Sequence, residues 1–508
     1  MTSRSIHIIQ EIDTLALTSR TAEELAALIG KSAYAVKIWL PDDLSQMPDS
    51  LVLKISALIF SLESQGKQCI IAVAPNCIKR MDAGRIQSVW KRLSGLMALA
   101  DFVEIPFNDL ELCASLRQRV PAAQRIFRTK VASPDLLEDQ LKTMTVAGAR
   151  FYQIEVAAND YRSCFDTLKF IKASNRTDLI IWNQGIKGLW TQLLGPYCGN
   201  AAILCADHPG SDFLNYKALV TDYGFPHLRT VLELYGIAGN PVKGSLSPQL
   251  HNKAYTQLQL PALYVPLHID SYEEFEKEVL QGDPFRPLGI TLRGLTVVSP
   301  FKQQGYASAQ KSRNELATIT KACNVLVREN GQWIADTTDS MGVLNGLAKR
   351  QMAAKGLKAA IIGCGGSGST IALALKLNGA QVHLINRSID KGEELADFLG
   401  VSFMPLADFN PADFELIVNA TPVGRRDGDM LIAPSMLNPR AVVVDMIYRQ
   451  QTTSLIKESH LLGHETIDGH EILAWQVKGQ FQKMTDREMP AHVLDEYFKY
   501  KSKALAEA

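Results

Sequence analysis

The stretch Leu357-Lys358-Ala359-Ala360-Ile361-Ile362-Gly363-Cys364-Gly365-Gly366-Ser367-Gly368-Ser369-Thr370-Ile371-Ala372-Leu373-Ala374-Leu375 decides how the second half of the chain folds. Its apolar run Ala359–Ile362 reads as a strand of a parallel sheet, buried on both faces. A glycine-rich turn and a good helix-forming segment follow. In that order the first glycine makes the tight turn, the next lets the backbone approach a pyrophosphate, and the last lets helix pack on strand. The helix N-terminus then offers its N–H groups and positive dipole end to phosphate. Gly363, Gly365, Gly366, Ser367 and Gly368 are therefore candidate cofactor-binding residues. A second strand, Gln381-Val382-His383-Leu384-Ile385, ends in Asn386-Arg387-Ser388. An acidic residue there would bond a ribose 2′-hydroxyl, whereas an arginine suits a 2′-phosphate. Arg387 stands 24 positions beyond Gly363, near the spacing of about 20 that such units have. The reading is an NADP site, with Asn386 and Arg387 at the strand end and Lys391 as a second phosphate contact. The alternative is a glycine turn followed by a solvated surface arginine.

Size and composition set the surroundings of this unit. At 508 residues the chain holds two to four domains, at roughly 150 residues each. The 46% apolar content suffices for ordinary cores, and 53 basic residues balance 53 acidic ones. No block of like charge exists, which argues against nucleic acid or an anionic membrane surface as the main partner. No apolar run is long enough to span a bilayer. The N-terminal apolar patch is broken by Glu11 and Asp13 and does not read as a signal peptide. Eight cysteines are scattered without a C-x-x-C pair, as expected of reduced thiols in a cytoplasmic protein. Cys364 reads as a small filler of the glycine loop.

Residues 1–232 show eight short apolar runs: Ile6–Ile9, Ala35–Trp39, Ile70–Val73, Phe102–Ile105, Arg125–Arg128, Phe151–Glu155, Asp178–Trp182 and Ala201–Leu204. Most alternate with helical segments, a pattern that predicts a (β/α)8 barrel, with a doubly wound sheet as the alternative. A barrel carries its chemistry at the C-terminal ends of its strands. Those ends read Pro41, Pro75-Asn76, Pro106-Phe107 and Ala157-Ala158-Asn159. No convergence of lysine, histidine and carboxylate is expected there.

From Tyr235 onward a second set of words appears. Gly239-Asn240-Pro241 precedes Ser245-Leu246-Ser247-Pro248 and His251-Asn252; Gly294-Leu295-Thr296-Val297-Val298-Ser299-Pro300-Phe301-Lys302 follows. Then come Ala322-Cys323-Asn324-Val325-Leu326, Asp336-Thr337-Thr338-Asp339, Asn419-Ala420-Thr421-Pro422-Val423-Gly424, Asp445-Met446-Ile447-Tyr448 and Asp468-Gly469-His470-Glu471-Ile472-Leu473-Ala474-Trp475-Gln476. Together with the glycine loop these words resemble shikimate dehydrogenase over about residues 235–490. Departures from the family pattern are Thr296 and Thr337, each for an asparagine, Val298 for a threonine, and Gln450 for a later proline.

The resemblance implies reversible NADPH-dependent reduction of the C3 ketone of 3-dehydroshikimate. It makes Lys302 the proton donor with Asp339 as its charge partner, and Ser245 and Ser247 the grip on the substrate carboxylate. Asn324, Thr338, Tyr448 and Gln476 join the substrate site, and Thr421 and Gly469 lie on the cofactor side. The implied architecture is α/β: a barrel over 1–232, a substrate lobe over 233–340 completed by 475–508, and a Rossmann-type NADP domain over 341–474.

The first half is similar to type I 3-dehydroquinate dehydratase in its position and in Gly148-Ala149-Arg150-Phe151, Gly188-Leu189-Trp190 and Pro209-Gly210. The family's imine-forming lysine falls at Gln153. Its histidine word reads Thr129-Lys130-Val131-Ala132-Ser133-Pro134, its E-x-R word Lys37-Ile38-Trp39, and its later S-R word Thr191-Gln192. An amide cannot form an imine, so the barrel is expected to have lost dehydratase activity. The competing readings are a bifunctional enzyme retaining both activities, a dehydrogenase for quinate or a related cyclohexane carboxylate, and a non-catalytic ligand sensor.

Overall fold

The computed structural model describes residues 4–74, 77, 83–207, 211–449 and 451–506; Pro75-Asn76, Pro209-Gly210 and Gln450 lie outside them. The described chain divides into two compact units, Met1–Leu234 with Pro261–Thr291, and Tyr235–Leu260 with Leu292–Ala508.

In the first unit all eight expected strands form one parallel sheet, in sequence order around a barrel: His7–Ile12, Ala35–Trp39, Gln68–Ala72, Phe102–Pro106, Arg125–Val131, Phe151–Val156, Leu179–Asn183 and Ala202–Ala206. The first strand also pairs with the eighth. The barrel is nearly closed, and across the remaining gap the Ala201 N–H donates to Leu179 O at 2.7 Å. Alternate residues point inward, and one inward layer is apolar: Ile9, Ala35, Ile70, Ile126, Ile180 and Ala202 share a buried cluster, with Phe102 and Phe151 packed against it. Residues 261–291 pack on this unit through aromatic contacts. Tyr161 and Trp190 meet Phe275 and Phe285, and the Tyr161 hydroxyl donates to His268 O at 2.7 Å.

The second unit carries a six-stranded parallel sheet in the order Ser402–Pro405, Gln381–Asn386, Lys358–Ile362, Leu416–Asn419, Val442–Asp445, Glu465–Ile467. Numbered along the chain this is 3-2-1-4-5-6, the doubly wound order, and its switch point lies between Lys358–Ile362 and Leu416–Asn419. The continuous apolar run of the central strand has a direct cause. Ala359 and Ile361 enter one buried cluster while Ala360 and Ile362 enter the other. The same unit holds five strands of a mixed sheet, in the order Glu233–Gly239, Thr291–Val297, Val325–Glu329, Gln332–Asp336, Lys311–Ser312. Strand Thr291–Val297 delivers the chain to Lys302, and strand Gln332–Asp336 delivers it to Asp339; each of these residues opens a helix.

Candidate active site

Three helix beginnings in the second unit meet at one amine. Lys302 opens helix Lys302–Ala307, Asp339 opens helix Asp339–Lys349, and Ser367 is the second residue of helix Gly366–Leu377. Lys302 Nζ lies 2.5 Å from Asp339 Oδ2 and donates to Ser367 Oγ at 2.8 Å. Side-chain exposure is 11% for the lysine and 2% for the aspartate, so water screens the pair little. The other carboxylate oxygen, Asp339 Oδ1, accepts from Asn324 Nδ2 at 2.8 Å and from Gln476 Nε2 at 3.3 Å. Asn324 uses its remaining polarity on the turn before Asp339: its Oδ1 accepts from the Thr338 N–H at 2.8 Å, and its Nδ2 also donates to Thr338 Oγ1 at 3.1 Å. Thr337, which departs from the family pattern, accepts from the Asp339 N–H through its hydroxyl at 3.3 Å. Lys302, Asp339, Ser367, Asn324, Thr338 and Gln476 thus form one connected polar site. The apolar surroundings of Cys323, which donates its N–H to Lys302 O at 3.0 Å, push that thiol up to about 12.

The glycine-rich loop lies against this site. A Cβ added at Gly366 would sit 3.5 Å from Lys302 Cβ, while one at Gly365 would meet nothing within 4 Å. Gly363 has φ +109, and a Cβ at Gly368 would fall 2.0 Å from Gly363 O. The loop is therefore a tight backbone turn with helix packed on strand, and Gly365 leaves its outer side open to a ligand. The free N–H end of a helix so presented suits pyrophosphate. Thr421 closes the neighbouring strand end across the switch point, held by its hydroxyl bond to Asn419 Oδ1 at 2.7 Å. Asn419 in turn donates to the buried Asp445 carboxylate at 3.0 Å. Burial pushes the Asp445 carboxyl up, against the pull of its bonds to Thr453, the Ile447 N–H and Asn419.

The other expected residues fall into two further places. Arg387 and Lys391 are exposed at the end of the strand beside the glycine loop, where the Asn386 amide bonds Ser388 O at 2.9 Å. Burial pushes the Cys364 thiol up, and the Lys391 ammonium opposes that shift. Ser245 and Ser247 stand around the start of helix Ser247–Gln257, with the Ser247 N–H donating to Ser245 Oγ at 3.3 Å. The Tyr448 hydroxyl reaches Ser245 Oγ at 3.5 Å. Gly469 packs on backbone, since a Cβ there would lie 2.1 Å from Ile447 O. His470 beside it bridges the Tyr497 hydroxyl at 2.6 Å and Arg449 O at 2.7 Å, a brace that no sequence word announced.

Inside the barrel, away from the strand ends and one layer above the apolar one, charged groups converge. Lys37, 1% exposed, lies 2.9 Å from Glu11 and 2.6 Å from Glu104, and Arg128 lies 2.9 Å from Glu104. Gln153, with its amide oriented to suit its neighbours, donates to Glu104 at 3.1 Å and accepts from Lys37 at 3.2 Å. Trp39 bonds Glu11 at 3.3 Å and lies under the Arg128 guanidinium. These side chains come from within the strands, at every second position, which is why inspection of strand ends overlooked them. Two cations and two carboxylates neutralise one another in this group.

Residues 237–326 match the family described as the shikimate dehydrogenase substrate binding domain. The NADP(+) shikimate dehydrogenase of Syntrophobacter fumaroxidans is 32% identical over 264 residues, covering 51% of this chain and 89% of the relative. That of Carboxydothermus hydrogenoformans is 33% identical over 273 residues, covering 52% and 95%. The solved shikimate dehydrogenase of Aquifex aeolicus is 30% identical, covering 52% of this chain and 97% of that one, at a TM-score of 0.48. The Syntrophobacter and Carboxydothermus relatives, each more than 30% identical and covered over more than four-fifths of its length, show that the chain belongs to the shikimate dehydrogenase (NADP(+)) family.

Proposed function

We propose that the second half of this chain is an NADP-dependent shikimate dehydrogenase that interconverts 3-dehydroshikimate and shikimate. The observation that carries this reading is the contact of Lys302 with both Asp339 and the glycine-loop serine, Ser367. A proton donor and a dinucleotide loop are thereby held within one compact unit. The bound dinucleotide would supply the hydride chemistry, as NADPH for reduction of the ketone and as NADP+ for oxidation of the alcohol. The protein's own part is position and a proton. Lys302 donates to the oxygen that gains charge as the ketone is reduced, and Asp339 keeps the ammonium in place. Such positioned proton transfer contributes about 10²–10⁴-fold. Ser245, Ser247 and Tyr448 hold the substrate carboxylate; Asn324, Thr338 and Gln476 hold the ring hydroxyls. Gly363, Gly365, Gly366, Ser367 and Gly368 cradle the pyrophosphate. Asn386, Arg387 and Lys391 take the 2′-phosphate, and Thr421 and Gly469 shape the wall on the cofactor side.

The domain organisation we favour keeps a substrate lobe over 233–340 completed by 475–508 and an NADP domain over 341–474. The barrel resembles a dehydratase without its machinery. Gln153 holds the imine position, and Lys37, the amine bonded to it among the described residues, is enclosed by two carboxylates. We assign it no dehydratase activity. Among the described residues no helix is long and apolar enough to cross a membrane, and the eight cysteines are free and buried, which suits a reducing cytoplasm.

A single purified sample of the full chain tests the reading. Shikimate and quinate are offered with NADP+ and with NAD+, and 3-dehydroquinate is offered alone. Fast reduction of NADP+ by shikimate, with slow quinate turnover and no dehydration, is expected. Preference for quinate or NAD+, or dehydration of 3-dehydroquinate, would each overturn the corresponding part.

A further inference from the structure

Among the described residues the Lys302 ammonium bonds Asp339 and Ser367, which belong to different parts of the site. Asp339 lies on the substrate side. Ser367 lies on the first turn of the helix whose N-terminus faces the cofactor phosphates. Its hydroxyl accepts from Lys302 at 2.8 Å and can donate to Asp339 Oδ2 at 3.4 Å. A Cβ added at Gly366, one residue before it, would lie 3.5 Å from Lys302 Cβ, so the loop backbone runs close beside the lysine stem. A hydroxyl has one proton to donate and two lone pairs to accept with. It cannot donate to Asp339 and to a second acceptor at the helix N-terminus at the same time.

We propose that Ser367 is the positioning residue through which cofactor binding readies the lysine for substrate. When the helix N-terminus is unladen, the hydroxyl closes the Lys302–Asp339–Ser367 triangle and occupies one ammonium proton. When a dinucleotide fills the loop, the hydroxyl turns its proton from Asp339 Oδ2 to the new acceptor while still accepting from Lys302, which leaves that carboxylate oxygen to the ammonium alone and holds the ammonium in place for the substrate oxygen. The consequence is positive coupling: each ligand binds more tightly in the presence of the other, by the same factor. The inference rests on the function proposed above and adds a route by which one site biases the other.

Binding of shikimate in the absence and presence of saturating NADPH tests it by calorimetry. Both ligands are reduced, so no turnover intervenes. For the wild-type chain NADPH is expected to tighten shikimate by about 5-fold or more, within the usual range of coupling. In Ser367→Ala, which loses one contact of the pyrophosphate cradle, NADPH is raised until it saturates the variant's own weaker site, and the factor is then expected to fall below about 2-fold. Ser367→Thr, which keeps the hydroxyl, restores the coupling and guards against a misfolded alanine variant. In steady state Ser367→Ala loses the dependence of shikimate KM on NADP+ concentration. Wild-type coupling retained in the alanine variant, or wild type that binds both ligands independently, overturns the proposal while leaving the dehydrogenase reading intact. A wild-type chain that binds neither ligand removes that reading, and this inference with it.

Discussion

Replacing Asp339 with asparagine removes one charge and almost no volume. The carboxylate accepts with both oxygens, from Lys302 and Ser367 on one side and from Asn324 and Gln476 on the other. An amide has one oxygen and one NH2, so whichever way it turns, it points donors at donors. It must either face the Lys302 ammonium or face the two amide NH2 groups. The lysine side chain is 11% exposed and the aspartate 2%, so the charge left behind is poorly hydrated. Removing one partner of a buried pair costs about 3–5 kcal/mol. Urea unfolding followed by fluorescence of Trp333 and Trp475, the tryptophans of this unit, reads that loss. Lys302→Met on top of Asp339→Asn removes the orphaned charge, so the double variant is expected to be less destabilised than the sum of the singles, by about 1–3 kcal/mol. The kinetic counterpart is non-additive too. Each single change lowers kcat, and in the Lys302→Met background Asp339→Asn costs little more. Effects that simply add in stability and multiply in rate would refute the claim that the pair acts as one unit.

Other consequences concern separate parts of the chain. Arg387→Ala removes the exposed cation at the strand end and should raise the KM for NADP+ by about 10–100-fold, from the roughly 1.5–3 kcal/mol of a bond to a charged group; the KM for NAD+ should barely move. His251 is fully enclosed, and burial holds its imidazole down to about 3 from an ordinary 6.5. The unfolded chain therefore takes up a proton there as pH falls through 6.5, which the folded chain resists until about 3. Its stabilising contribution is complete above that window and shrinks as pH falls, by up to about 1.4 kcal/mol per pH unit. Urea midpoints measured from pH 7 down to 4 should fall less steeply in His251→Gln than in wild type. In the barrel, Glu104→Gln leaves Lys37 with Glu11 alone and should destabilise the first unit by about 3–5 kcal/mol, seen in the fluorescence of Trp39; shikimate turnover at low temperature should stay near wild type.

Much of this architecture was legible before any coordinates. The eight barrel strands announced themselves because they are short apolar runs that mostly alternate with helical segments, and the Rossmann strand because both its faces are buried. The word Asp336-Thr337-Thr338-Asp339 marked the turn that places the Asp339 carboxylate at the start of its helix. What stayed hidden was contact at long range in sequence. Lys37, Glu11, Glu104 and Arg128 meet only because the strands that carry them lie side by side in the barrel wall, and no local spacing encodes that. Ser367 looked like one more phosphate contact, and its bond to Lys302 spans 65 residues. The association of residues 261–291 with the barrel unit was equally invisible, because it rests on Phe275 and Phe285 finding Tyr161 and Trp190.

The most direct test of the central claim is the turnover of Lys302→Ala with shikimate and NADP+, measured beside the affinity of the same variant for shikimate with NADPH. With Lys302 as the proton donor, kcat is expected to fall by about 10²-fold or more while shikimate affinity changes only a few-fold. A kcat equal to that of the wild-type chain would contradict it.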